Sequence, residues 1–397
     1  MIKGHGDDAY QFEDIRINFS SNIYSHADMS ALKEHLCRHI HVIDSYPEPE
    51  PFSLERLIAE QLGIPADCVL VTNGATEAIY LVAQMVAPQI GSFILDGPSF
   101  SEYADACRLY GLSPRSEDGN LATRENKDTI LWLCNPNNPT GRVYTQTEID
   151  RFLEEYPLVV VDQSYEHHTL EHIMTPAEGI LHDNLLQIHS LTKTYAIPGL
   201  RIGFVTAQPQ LIDRLRRFVR PWSVNALAIE AARWLLTHDM KAIGDLPAYL
   251  REAQRLCQNL NAIPGIKVFP TKTNFMLVRI EPLTSSRSED FSRYEERLRV
   301  GDQRSGIRGT LGENSIEGPD SNLVPRTSHL APREETPRKE ERSASALKTY
   351  LAHHYGILIR DASNFNDLDE RYFRIAAQLP EENDLLVKAI SCYLNET

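Results

Sequence analysis

The chain has 397 residues, of which 42% are hydrophobic and 24% are charged, as in an ordinary globular protein long enough for two domains. The net charge of −15 would repel a phosphate backbone and argues against nucleic-acid binding. Since the polar N-terminus does not resemble a signal peptide and no apolar run is long enough to span a bilayer, we expect a cytoplasmic protein without a membrane partner.

From about residue 54 to 222, helical patterns alternate with short runs rich in β-branched residues. The predicted helices and strands, in chain order, are SLERLIAEQLG, CVLVTNG, ATEAIYLVAQMV, SFILDGP, TILWLCNP, PLVVVDQS and LLQIHSLT. Strands that alternate with helices predict a mostly parallel sheet covered on both faces. An open sheet of this kind binds its ligands where the strands end.

The pattern changes from about residue 223 onward. Two helical stretches lead to the strand TNFMLVRI, and a helix, the strands ILIRD and YFRIAA and a final helix follow later. This order predicts a smaller α+β domain. Residues 284–344 interrupt it and are rich in Ser, Arg, Glu, Gly and Pro, a composition that cannot bury enough apolar surface to fold, so we predict a disordered insertion there.

Two polar clusters begin the series of strand ends. In NGATEA, Gly74, Ala75 and Thr76 open a helix, whose free backbone N–H groups could hold a phosphate, although an ordinary strand-to-helix connection would look the same. In GPSFSEY, Phe100 and Tyr103 could stack on a planar ring, or they could simply fill the core.

The next two clusters offer groups that suit a pyridine-type cofactor. NPNNPTG forms a tight loop that displays Asn137 and Asn138, and an Asn amide can donate to a phenolate oxygen. In VVVDQSY, Asp162 directly follows three valines, so its buried carboxylate needs a cationic partner such as a protonated pyridine nitrogen. Tyr165 lies three residues later, within reach of the phenolate oxygen of the same ring.

The fifth and sixth clusters supply cations. Lys193 in SLTKTYAIPGLRIG follows an apolar strand beside Ser190, and a desolvated lysine is a nucleophile for a Schiff base. Arg201, eight residues later, has a planar fork that suits phosphate. Arg360 in ILIRD and Arg374 in RYFRIAA lie on apolar strands, where a substrate carboxylate or phosphate would balance them, unless they form structural ion pairs with nearby carboxylates.

The remaining histidines and cysteines do not predict a metal site. The six cysteines are scattered singly, which argues against a zinc ribbon or a disulfide framework. The histidines of EHHTLEH, at positions 167, 168 and 172, match no common zinc spacing, so we expect them to face solvent.

The ordered motifs NGATEA, PSF, NPNNPTG, DQSY, SLTK and GLRIG resemble those of the fold-type I pyridoxal 5'-phosphate (PLP) enzymes of the aminotransferase class I/II family. The resemblance implies the aspartate aminotransferase-like α/β fold, with a large PLP-binding domain over residues 47–222 and a small domain over 223–397. It also implies that residues 1–46 pack on the small domain and on the partner subunit of a homodimer with shared active sites.

The same resemblance implies a role for each motif residue. Lys193 would form the Schiff base with PLP, and Asp162 would keep the pyridine nitrogen protonated. Asn138 and Tyr165 would hold the phenolate oxygen, and Phe100 would stack on the ring. The implied phosphate ligands are Ala75, Thr76, Ser190 and Arg201, together with Tyr46 of YPEPEP from the neighbouring subunit. Arg374 would bind the carboxylate of an amino-acid substrate.

Two branches of the family fit the motifs. YPEPEP, NPNNPTG and GLRIG suit both histidinol-phosphate aminotransferases and the L-threonine-phosphate decarboxylases of cobalamin biosynthesis, whereas GHGDD, NFSSNIY and GILIRDASNF look more like the decarboxylases. We therefore predict a decarboxylase, with the aminotransferase as the alternative. A non-catalytic sensor domain is a third reading, but such domains accompany a DNA-binding module, and no helix-turn-helix pattern is visible.

Overall fold

A computed structural model describes residues 8–115, 127–238, 240, 242–281 and 342–396. The strands are β1 (Ile17–Asn18), β2 (Val69–Thr72), β3 (Ser92–Leu95), β4 (Ser113–Pro114), β5 (Thr129–Cys134), β6 (Leu158–Asp162), β7 (Leu185–Ser190), β8 (Gly203–Ala207), β9 (Ile266–Val268), β10 (Phe275–Ile280), β11 (Ile357–Leu358), β12 (Arg360–Asp361) and β13 (Tyr372–Ala376). The helices are α1 (Ser30–Arg38), α2 (Phe52–Leu62), α3 (Gly74–Val86), α4 (Glu102–Leu109), α5 (Gln146–Glu155), α6 (Pro176–Gly179), α7 (Leu191–Thr194), α8 (Pro209–Arg216), α9 (Ala226–Thr237), α10 (Leu246–Asn261), α11 (Ala344–Tyr355) and α12 (Pro380–Glu396). No helix within these ranges is long and apolar enough to cross a bilayer.

The large sheet has seven strands in the order β2-β8-β7-β6-β5-β3-β4. Its strands run parallel except β8, which is antiparallel to both β2 and β7. The predicted mostly parallel sheet is therefore confirmed. Parallel neighbours bring the carboxyl ends of β5, β6 and β7 to one edge, where the predicted polar clusters begin.

Both faces of the large sheet are covered, so most residues of its central strands are buried and apolar. On β5, Ile130 and Trp132 pack towards α3, α4 and α8, whereas Leu131 and Leu133 pack towards α5. This two-residue alternation between two buried faces explains why the strands read as continuous hydrophobic runs. Helix α9 shares a core with α2 and β2, although the sequence pattern grouped it with the C-terminal region.

The smaller sheet has the order β12-β13-β10-β9, and all its described pairings are antiparallel. The prediction of a single strand over ILIRD is wrong, because the structure has two short strands there. Ile357 and Leu358 pair in parallel with β1 of the N-terminal segment, whereas Arg360 and Asp361 pair with β13. The chain exchanges one hydrogen-bonding neighbour for another at Ile359, and local sequence carries no sign of that exchange.

The C-terminal limit of the predicted insertion at 284–344 also needs correction. The Ser343 side chain accepts a hydrogen bond from the Ala346 backbone N–H and caps α11, so helical structure begins at Ala344. The rest of the predicted insertion lies outside the described residues. Its two flanks are anchored side by side, because the Ile280 N–H donates to the Arg371 carbonyl at 3.0 Å and the Ala344 N–H to the Glu370 carbonyl at 2.7 Å.

Candidate active site

A cavity of about 260 Å³ lies at the carboxyl ends of the central strands, bounded on one side by the smaller sheet. Most of the predicted site residues line it, although they come from distant parts of the chain. These residues are Ala75, Thr76, Phe100, Asn138, Asp162, Tyr165, Ser190, Lys193, Arg201, Arg360 and Arg374. Two predicted residues, Gly74 and Tyr46, do not line the cavity.

Asp162 ends β6 and is almost completely buried. Its carboxylate accepts hydrogen bonds from the Tyr103 hydroxyl at 2.7 Å and from the Ser164 backbone N–H at 2.8 Å. Burial raises the pKa of Asp162, and these hydrogen bonds oppose the rise only in part. A cation placed against this carboxylate would lower its pKa again, which is what the predicted pyridine nitrogen requires.

Lys193 lies on the short helix α7, directly after β7. Its Nζ donates to the Ser21 backbone carbonyl at 2.8 Å, so the amine is held by the N-terminal segment. Asn138 and Tyr165 line the same cavity. Burial raises the pKa of Tyr165 to about 12 despite the nearby Arg374 guanidinium, so Tyr165 is a neutral hydrogen-bond donor at physiological pH.

One corner of the cavity is suited to an anion. Ala75 and Thr76 lie in the first turn of α3, where backbone N–H groups lack helical partners. The Ser190 hydroxyl lies 2.7 Å from that of Thr192. Arg201 reaches back to Gly74, where an added Cβ would come within 2.7 Å of the guanidinium, and the Gly74 φ of +76° favours glycine at the helix start. Partial burial lowers the pKa of Arg201, and a phosphate there would offset that cost.

Arg360 and Arg374 are opposite each other on the antiparallel strands β12 and β13. Both are almost fully buried. Arg374 donates to the Asn138 side-chain oxygen at 2.5 Å and to the Ser20 carbonyl, and Arg360 donates to Asn364 at 2.9 Å. Burial lowers the pKa of Arg360, although nearby acidic groups oppose the shift. Both guanidinium groups line one cavity, where an anionic ligand would offset the cost of burying them.

Tyr103 has a different role from the ring stacking that the sequence suggested. Its ring stacks on Trp132, with centroids 5.2 Å apart and planes inclined by 13°, and its hydroxyl holds Asp162. Both Phe100 and Tyr103 line the cavity, but only Tyr103 has its ring stacked on Trp132 and its hydroxyl on Asp162. Sequence spacing could not separate these two roles, because both aromatic residues follow the same strand end.

A buried contact between His189 of β7 and Glu166 was not predicted from the sequence. The His189 imidazole lies between the Glu166 carboxylate and the Thr206 hydroxyl, each at 3.0 Å. Burial alone would raise the pKa of Glu166, but His189 outweighs it, so that pKa is lowered. His189 directly precedes Ser190 on β7, and it also lowers the pKa of Asp162. His189 therefore favours the ionised form of the Asp162 carboxylate.

His168 corrects another expectation. The side chains of His167 and His172 are exposed, as predicted, but His168 is only 1% exposed and packs edge-on against Tyr165. Burial lowers the pKa of His168 to about 3, so the ring is neutral at physiological pH. Among the described residues, these three histidines do not form a ligand cluster.

Tyr46 is 84% exposed, and its ring lies 5.3 Å from that of Trp222. Tyr46 does not line the cavity of its own chain. Its expected contact with the cofactor of a partner subunit therefore stays a prediction.

The chain belongs to the aminotransferase class I and II family, whose model matches residues 14–390. It is 32% identical over 284 residues to the threonine-phosphate decarboxylase of Salmonella typhimurium, covering 67% of this chain and 77% of that protein. It is 29% identical over 253 residues to a histidinol-phosphate aminotransferase of Desulfitobacterium hafniense, covering 59% of this chain and 70% of the relative. The crystal structure of L-threonine-O-3-phosphate decarboxylase from Porphyromonas gingivalis superposes with a TM-score of 0.75 and 32% identity, covering 96% of this chain and 100% of that one.

This membership makes the chain a PLP-dependent enzyme of the decarboxylase and aminotransferase group, with the fold-type I architecture. The family acts on small amino-acid substrates, typically as dimers. The site fits the cofactor on its own chemistry. A buried acid with a raised pKa at one end, and a helix N-terminus with hydroxyls and a guanidinium at the other, match a protonated ring nitrogen and a phosphate.

Proposed function

We propose that this enzyme decarboxylates L-threonine phosphate, the reaction by which the decarboxylases it resembles serve cobalamin synthesis. One observation carries the proposal: Arg360 and Arg374 lie side by side, buried, at the cavity that also contains Lys193. Threonine phosphate bears a carboxylate and a phosphate on one small molecule, and two fixed guanidinium groups can bind both. The similarity to decarboxylases at 32% identity supports the same choice.

The predicted cofactor residues would divide the work as follows. Asp162 would pair with the ring nitrogen, Asn138 and Tyr165 would donate to the phenolate oxygen, and Phe100 would cover the ring. Ala75, Thr76, Ser190 and Arg201 would bind the phosphate, with Gly74 providing the space for the guanidinium. PLP, when bound, acts as an electron sink that weakens the bonds at the substrate α-carbon.

Lys193 would bond to the cofactor between turnovers and would carry the proton that the reaction needs. Once carbon dioxide leaves, the α-carbon must gain a proton, and the Nζ of Lys193 is the donor that the site offers. The Ser21 carbonyl, at 2.8 Å, fixes the position of that nitrogen. An N-terminal segment thereby takes part in aligning the proton donor.

The two arginines would select which bond breaks. A bond at the α-carbon is weakened when it lies perpendicular to the cofactor ring, so the outcome depends on how the carboxylate and phosphate are held. Arg374, held by Asn138 and the Ser20 carbonyl, would bind the carboxylate. Arg360 would bind the phosphate from the adjacent strand, and the two contacts together would fix the rotation of the substrate about the α-carbon.

Carbon dioxide release from L-threonine phosphate, by PLP-loaded protein without an oxo-acid acceptor, tests this proposal. Catalytic release is the expected result, and Arg360→Gln should reduce kcat/KM on the order of a hundredfold, the effect of removing one partner from a buried charge pair. Arg279→Gln is the matched control, since Arg279 of β10 pairs with Glu281 at 2.6 Å and does not line the cavity. Unchanged kcat/KM in Arg360→Gln would refute the phosphate-binding role.

The alternative is transamination of histidinol phosphate. The similarity of the chain to histidinol-phosphate aminotransferases supports it. In that reaction Lys193 removes a proton from the α-carbon, and 2-oxoglutarate accepts the amino group. The two proposals separate in one experiment. Turnover of histidinol phosphate that requires 2-oxoglutarate, without carbon dioxide release from threonine phosphate, would establish the aminotransferase.

We also propose a cytoplasmic homodimer with shared sites, and a large and a small domain with the limits predicted from the sequence except that α9, which packs with α2 and β2, would belong to the large domain. Four large apolar side chains are about half exposed or more in the single chain: Ile40, Ile43, Tyr46 and Trp222. Exposing them to water is unfavourable unless a partner subunit covers them. Mixing Tyr46→Ala with Lys193→Ala subunits should restore turnover, because one site of each hybrid dimer would receive both native residues. No restoration after verified subunit exchange would contradict shared sites.

A further inference from the structure

A cluster of three potential metal ligands lies between α1 and α9. His35 and His39 are four residues apart at the end of α1, and Glu230 lies on α9. The His35 Nε2 is 2.7 Å from the Glu230 Oε1, and one ligand atom from each residue lies within 4.8 Å of the others. None of the three lines the active-site cavity, so the cofactor chemistry does not account for them.

The ligand types and their spacing suit a divalent transition-metal ion. Two residues four apart on a helix present their side chains on the same face, and here the imidazole rings stack with centroids 4.0 Å apart and planes inclined by 27°. Two imidazoles and one carboxylate form a ligand set that Zn²⁺ accepts, with water in the fourth position. Tetrahedral ligands roughly 2 Å from a metal ion lie roughly 3.3 Å apart, so these three ligand atoms, which lie within 4.8 Å of one another, would move closer together when an ion binds.

A second hydrogen bond prepares His39 for this role. Its Nδ1 lies 2.9 Å from the His35 backbone carbonyl, so that nitrogen carries the proton and Nε2 is the ligating atom. Metal-binding histidines commonly donate their other ring nitrogen in this way, which fixes tautomer and orientation. An ion pair between His35 and Glu230 would explain those two residues, but it does not require a second imidazole in this position.

The scaffold around the cluster is rigid and partly closed. Leu32 of α1 and Ala231 of α9 belong to the same buried core, so packing fixes the distance between the two helices. The ring of Trp234, one turn beyond Glu230, lies 5.7 Å from that of His35. The side chains of His35 and Glu230 are only 18% and 22% exposed. Ligands held by packed elements lose little conformational freedom when an ion binds.

We propose that His35, His39 and Glu230 bind a divalent transition-metal ion such as Zn²⁺. The ion would tie α1 of the N-terminal segment to α9 and would stabilise the fold by binding only to the folded chain. The site is independent of the proposed reaction, because its ligands lie outside the cavity. Its occupancy is expected to change thermal stability without a requirement for substrate.

Zinc titration of chelator-treated, PLP-loaded protein tests the site. Zn²⁺ alone is added in competition with a chromophoric indicator, and the stoichiometry of the wild type is compared with that of His39→Ala. The wild type is expected to take up one more equivalent per chain, and the variant to bind at that site at least about tenfold more weakly. Because His35 and Glu230 can still pair in this variant, loss of the fold is not expected.

His41→Ala is the matched control, since His41 neighbours His39, with ring centroids 5.9 Å apart, but is not a ligand. Glu230→Gln is a second variant that removes the charge and keeps a hydrogen-bonding side chain. Zn²⁺ should raise the thermal midpoint of the wild type and of His41→Ala, but not of His39→Ala or Glu230→Gln. Equal zinc uptake by the wild type and His39→Ala, or equal loss in His41→Ala, would overturn the proposal.

Discussion

Replacing Tyr103 by phenylalanine isolates one hydrogen bond beneath the proposed cofactor site. Tyr103 is fully buried, and its hydroxyl donates to the Asp162 carboxylate at 2.7 Å. The phenylalanine ring keeps the stack on Trp132 and leaves no cavity larger than the lost oxygen. The change therefore tests the hydrogen bond and not the packing.

The size of the effect follows from the charge on the acceptor. Hydrogen bonds to charged groups contribute about 1.5–3 kcal/mol to stability, against about 0.5–1.5 kcal/mol for neutral pairs. Tyr144→Phe is the matched control. Tyr144 is also buried, and its hydroxyl donates to an uncharged acceptor, the backbone carbonyl of Asp96, at 3.3 Å. We expect Tyr103→Phe to lower the free energy of unfolding by about 1 kcal/mol more than Tyr144→Phe.

The pH dependence gives a second test. Burial already raises the folded-state pKa of Asp162 above the value of 3.8 for a free side chain, and the Tyr103 hydroxyl opposes that rise. A carboxyl with a raised folded pKa makes the fold less stable as the pH rises through the interval between the two values. Losing Tyr103 raises the pKa further, so the penalty should be larger at neutral than at acidic pH.

Urea unfolding of the cofactor-free proteins at several pH values measures both effects. The slope of the free energy against urea should be equal in the two variants, which would show that the unfolded states are comparable. If Tyr103→Phe costs no more than Tyr144→Phe, or costs more at acidic pH, Asp162 is not the buried anion inferred above.

Three further predictions concern the cofactor, the insertion and a buried histidine. Lys193→Ala should lose turnover and the visible absorbance of lysine-bound PLP, and full turnover would refute the assignment; Lys272→Ala, at an exposed ion pair with Glu171, should retain both. Replacing residues 284–341 by a short linker should leave a folded, PLP-binding protein, since the flanks are anchored at adjacent residues; loss of PLP binding would show that the segment is structural. His168→Gln should remove a loss of stability in acid, because a folded pKa of about 3 against 6.5 unfolded costs about 1.4 kcal/mol per pH unit as the pH falls below 6.5 towards 3. The free energy of unfolding, measured from pH 6.5 to pH 3, should therefore fall more steeply in the wild type than in His168→Gln. Equal slopes in the two proteins would contradict the burial of a neutral His168 ring.

The sequence alone showed that polar clusters follow the predicted strands, and this identified most of the residues that line the cavity. This was possible because a parallel sheet collects the carboxyl ends of neighbouring strands at one edge. Asp162 after three valines and Lys193 after an apolar strand are both signals within a few adjacent residues. The family resemblance added roles to these positions, which spacing could not provide.

Tertiary structure decided what depends on contacts between distant segments. The pairing of Arg360 with Arg374, the bond from Tyr103 to Asp162 and the change of partner at Ile359 all arise when separate elements dock. The sequence analysis wrongly expected His168 to face solvent, for the same reason. A histidine beside an exposed neighbour carries no local mark of the side chains that will cover it, because burial is a property of the packed fold.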